Sequence, residues 1–68
     1  MLKAALSHFV AQRDRAVANL NNLLQNPAGI GEHTDVVREV IILIEEVERS
    51  TSCVTLLTSM KEETTSEQ

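Results

Sequence analysis

The sequence predicts an all-α fold, an antiparallel two-helix hairpin, and three observations predict it. One block of breakers, Asn26-Pro27-Ala28-Gly29-Ile30-Gly31-Glu32-His33-Thr34-Asp35, holds the only proline and both glycines of the 68 residues. On each side of that block apolar residues recur at alternating spacings of three and four, the period of one helix face. The two periodic segments are nearly equal in length, so a reversal between them lays one along the other.

In the first segment Leu2, Leu6, Phe9, Arg13, Ala16, Leu20 and Leu23 form a stripe in which Arg13 is the polar interruption. Val10, Val17 and Leu24 widen that stripe on one flank. Ala4, Ala5, Ala11, Ala16 and Ala18 favour helix, while Asn19, Asn21 and Asn22 weaken the last turns. Asn26 precedes a proline and is pushed away from helical dihedrals, which predicts a helix over 2–25. The turn occupies 26–33. There Gly29 and Gly31 admit left-handed dihedrals or close backbone approach, and Ile30 can fold under as an apolar plug.

The second helix is predicted over 34–60. Thr34 or His33 can cap it, and Asp35 falls in its first turn, favourable for the helix dipole. Val36, Val40, Leu43, Val47, Ser50, Val54 and Leu57 make its stripe, flanked by Val37, Ile44 and Thr51. At the rise of an α-helix the two segments span about 36 Å and about 40 Å, a matched pair. Thr51-Ser52-Cys53-Val54-Thr55 also reads as a strand, because hydroxyl and β-branched residues weaken a helix. Val54 and Leu57 keep the helical period, and one isolated strand would have no partner. From 61 to 68 there is no apolar residue, which predicts a disordered acidic tail.

Charge is divided unevenly. Residues 1–31 carry Lys3, Arg13 and Arg15 against Asp14, whereas the rest carries nine acids against Arg38, Arg49 and Lys61. The whole chain has a net charge of −4 and one aromatic residue, Phe9. Nucleic acid is excluded as a partner on this reading, since phosphate binding needs clustered Lys and Arg. No apolar run reaches the roughly 18 residues of a membrane span. Met1-Leu2-Lys3 does not begin a signal peptide of basic head and apolar stretch, so a cytoplasmic protein is expected. The lone cysteine, Cys53, fits a reducing compartment and leaves no intramolecular disulfide.

Chemistry finds little support. No Cys/His spacing suits zinc, and Glu32-His33 with Asp35 lacks the spacing that sets two ligands on one helical face. Ser7 and His8 are sequence neighbours with no third group to orient them, so no catalytic residue, metal or cofactor is expected. The turn, with Gly29, Gly31 and His33 beside a helix start, has the parts of an anion site. Glu32 and Asp35 oppose phosphate there, and a sharp reversal with an apolar tuck accounts for the same residues.

A chain of this size usually adds disulfides, a metal or further copies of itself, and only the last device is open here. At about 100° per residue, Ile42, Cys53 and Leu56 lie roughly 160–220° from Val40. They give the second helix another apolar face, read as an oligomer interface that makes a homodimeric four-helix bundle or larger assembly. Arg13 either snorkels to the edge of its stripe or pairs with Glu39 or Glu46 and fixes register.

The run from Asn26 to Val37, preceded by Asn19-Leu20-Asn21-Asn22 and followed by an acidic aliphatic helix, resembles small helical-hairpin proteins of tailed bacteriophages, including cyanophages. The similarity covers the turn and its flanks. Where a proline often follows the histidine in those proteins, this chain has Thr34. The resemblance implies a viral protein within a host cell and assigns no functional residue. The expected function is non-catalytic protein binding or regulation by a homo-oligomer that engages a host macromolecule, a host or viral protein, through Glu39, Glu45, Glu46 and Glu48. Two alternatives are an oligomer that sequesters a nucleotide-like small molecule at residues 29–35 and a structural virion or assembly component.

Overall fold

In the computed structural model, residues 1–26 and 35–66 are described, with side chains through residue 62. Two helices, α1 (Leu2–Gln25) and α2 (Val36–Ser66), pack against each other as a hairpin. The chain measures 56 × 16 × 14 Å along its principal axes.

α1 ends where Pro27 requires. Asn26 leaves the helix at φ −143°, ψ 60°, and its N–H still donates to the Asn22 carbonyl at 3.0 Å. At the other end the Ala5 N–H donates to the Met1 carbonyl at 3.1 Å, and no side chain caps the helix.

The start of α2 differs from expectation. Asp35 is the cap: its carboxylate accepts the Arg38 N–H at 3.1 Å, and its carbonyl accepts the Glu39 N–H at 3.1 Å. An Asp just before the first helical residue satisfies an amide that would otherwise lack an intrahelical partner. Thr34 and His33, the expected caps, lie outside the described residues. Asp35→Ala is therefore expected to cost about 1 kcal/mol in urea unfolding, whereas Asp35→Ser or Asp35→Asn keeps most of that amount.

The far end of α2 differs as well. The helix runs on to Ser66, past the residue 60 at which a tail was expected. Lys61, Glu62 and Glu63 are good helix formers with no glycine or proline among them, so loss of apolar periodicity does not end the helix. At 31 residues against 24, α2 exceeds α1 by about 10 Å, and the two lengths are not matched. The segment from Thr51 to Thr55 is helical throughout.

Between the helices lies the seam that the periodicity predicts. Each of its fourteen positions, seven per helix, is buried or half-buried. Ala16 and Ser50 are 1% exposed and Leu23 is 7% exposed. Ser50 can be buried because its hydroxyl donates to the Glu46 carbonyl at 2.7 Å and also lies 3.2 Å from that of Val47. That local bond satisfies the only polar group the side chain brings. Ala16 and Ser50 are the small residues of this seam, and small side chains let two helices lie close together.

Candidate interaction surface

Heptad letters make the surface legible. With Leu2, Phe9, Ala16 and Leu23 at d and Leu6, Arg13 and Leu20 at a, the flanks of α1 are Val10, Val17 and Leu24 at e and Ala5, Gln12 and Asn19 at g. In α2 the same assignment puts Val37, Ile44 and Thr51 at e and Glu39, Glu46 and Cys53 at g. A shallow groove lined by Asn19, Asn22, Leu23, Glu39 and Leu43 shows the two g flanks lying together on one side of the hairpin. The e flanks therefore share the other side.

The two sides are unlike in the way that matters for binding. Along the g side Ala5, Gln12, Glu39, Glu46 and Cys53 are half-buried, and Asn19 is exposed. The e side was expected to widen the seam, and Val10 is half-buried there, yet Val17, Leu24, Val37 and Ile44 are exposed, joined by Ile41 one position outward. These five range from 38% to 68% exposed. By heptad position they share one side of the hairpin, unlike exposed apolar residues scattered singly.

Among the residues expected at an oligomer interface, the structure separates Cys53 from Ile42 and Leu56. Cys53 is half-buried at the edge of the hairpin seam. Its angle was reckoned from Val40, but a heptad stripe on a straight helix drifts about 20° per heptad. Against the local seam residues Ser50 and Leu57, Cys53 stands only about 60° and about 40° away. Ile42 and Leu56 are exposed, 43% and 61%, and Arg49 stands between them at the same heptad position.

The acids of α2 are divided too. Glu45 and Glu48 are exposed, and with Arg49, Ser52 and Cys53 they line an open depression on the outer surface. Glu39 and Glu46 lie half-buried along the g flank. Neither reaches Arg13, whose Nη2 and Nε both lie 3.2 Å from the Oδ1 of adjacent Asp14. The guanidinium thus takes its pair from its own helix. Arg13→Leu is accordingly expected to leave oligomer mass unchanged in light scattering and to alter stability by less than about 1 kcal/mol.

Among the described residues no three His, Cys, Asp or Glu side chains are grouped to hold a metal ion. Nor is any described helix long and apolar enough to cross a membrane. His8 is exposed, with its ring edge-on to Phe9 at 4.9 Å between centroids. Gly29, Gly31 and His33, the residues of the expected ligand turn, lie outside the described residues. No family model, curated protein or solved structure matches the chain.

Proposed function

We propose that this chain is a non-catalytic binding protein that works as a homo-oligomer, most simply a four-helix bundle of two hairpins. The observation that carries this reading is the e side, where two helices that have already closed a seam leave Val17, Leu24, Val37, Ile41 and Ile44 uncovered. Covering such residues is worth about 25 cal/mol per Å² of apolar surface removed from water. The outward Glu45 remains free to meet a further macromolecule with a basic surface, and the resemblance of the turn to phage hairpins supports a host partner.

Light scattering on purified protein tests the first part. A mass near twice the 7.5 kDa of one chain, or a higher multiple, is expected at micromolar concentrations. A folded protein with the mass of one chain throughout the range would overturn the reading.

A further inference from the structure

We infer that the e side is covered by a second copy of this chain lying parallel to the first, with both turns at one end and α1 of each copy over α2 of the other. This inference rests on the homo-oligomer reading and adds the face, the occupant and its orientation.

The turn-side half of the e side is free of charge. Val17, Asn21 and Leu24 of α1 and Val37, Ile41 and Ile44 of α2 occupy its e and outward positions. The next outward positions toward the open end are Asp14 and Glu48. An apolar half beside a polar half gives the face a direction, and a copy can satisfy it in only one way over the full length.

Two face-to-face arrangements have two-fold symmetry. With the axis across the helices, α1 lies over α1 and α2 over α2, in reversed direction. Full overlap then sets the apolar half of one copy on the polar half of the other, and overlap of the apolar halves alone uses half the face. With the axis along the hairpin, the apolar halves coincide and the whole face is used.

Area and charge choose between them. The two helices lie side by side over about 36 Å, the length of α1, and a face that long and 16 Å wide offers roughly 600 Å², within reach of the roughly 800 Å² that each partner buries in a standard interface. Half the face falls well below that. Charge points the same way, because α1 carries Lys3, Arg13 and Arg15 against Asp14, while α2 has more acids than bases. The crossed arrangement stacks like on like. The parallel one sets each basic helix on an acidic one, at interaxial distances of about 10 Å that salt does not fully screen.

Two measurements on the full chain test the proposal. In the first, Ile44→Glu is expected to halve the light-scattering mass at concentrations where wild type is dimeric, while Leu56→Glu leaves it unchanged. Dissociation by Leu56→Glu and not by Ile44→Glu would overturn the choice of face. In the second, L24C/C53A and I44C/C53A chains, which need no disruptive charge, are mixed in equal amounts and oxidised. A disulfide between residue 24 of one copy and residue 44 of the other is expected as the main product by mass spectrometry, since an axis along the hairpin keeps each residue at its own level and the register that sets Leu23 beside Leu43 leaves those positions about 3 Å apart along the axis. Residue 24 joined only to residue 24, or a persisting dimer with no mixed product, would overturn the orientation and leave the homo-oligomer intact. A wild-type mass of one chain would overturn the reading on which it rests.

Discussion

Leu23→Ala lowers the stability of the fold by about 2–3 kcal/mol, at the modest end of the range for a buried leucine. In a domain this small that corresponds to a fall of roughly 10–20 °C in the thermal midpoint followed by circular dichroism. The size follows from scarcity. Leu23 and Ala16 are the buried apolar residues among those described, so Leu23 is the one large side chain among them that the seam buries. Removing it leaves a gap between α1 and the Leu43 region of α2, with which it shares the groove wall. Leu56→Ala, at a side chain 61% exposed, is expected to change stability by less than about 0.5 kcal/mol. Equal losses at the two sites would contradict the packing described.

Ala16→Leu is expected to have the second largest effect, a destabilisation of about 1–3 kcal/mol by overpacking. Ala16 is 1% exposed and lies in the same seam as Ser50, equally covered. The register supports their pairing, since Leu23 and Leu43 line one groove and one heptad further from the turn brings each helix to residues 16 and 50. A larger side chain at that level has to push the helices apart. Ser50→Ala, by contrast, removes a hydroxyl bonded within its own helix and is expected to change stability by less than about 1 kcal/mol. Urea unfolding of the two variants distinguishes a packing constraint at this level from a polar one, because only the first makes Ala16→Leu the worse.

Much of the hairpin is legible in the sequence, for a plain physical reason. Alternating spacings of three and four report which residues share a helix face, and all fourteen seam positions read that way are covered in the structure. The stop at Gln25 is legible because a proline acts on the residue before it, one bond away. Helix ends without such a marker are harder. The α2 start depends on whether Thr34 or Asp35 turns its side chain onto a free amide, and both are good caps. Its end depends on the propensity of residues such as Lys61 and Glu62, which apolar periodicity does not sense.

The candidate surface was less legible. Periodicity shows that an apolar flank adjoins the seam, but it does not show whether the partner helix leans toward that flank or away from it. In the structure Ala5, Gln12, Glu39 and Glu46 on the g side are half-buried, and Val17, Leu24, Val37 and Ile44 on the e side are left open. Small or long-stemmed residues can line a helix contact with polar ends at its rim, so a flank of mixed composition is no obstacle to coverage. Cys53 illustrates the other limit, since an angle reckoned over thirteen residues from Val40 accumulates the drift of the stripe.

On the proposed reading the hairpin closes one seam and leaves a second apolar face for another copy. The thermal midpoint as a function of protein concentration tests it most directly, because association that stabilises only the folded chain makes the midpoint depend on concentration. A rise of about 5 °C for each tenfold increase in wild-type concentration is predicted, with the dependence lost in Ile44→Glu. A wild-type midpoint that stays constant over three such steps would contradict the claim.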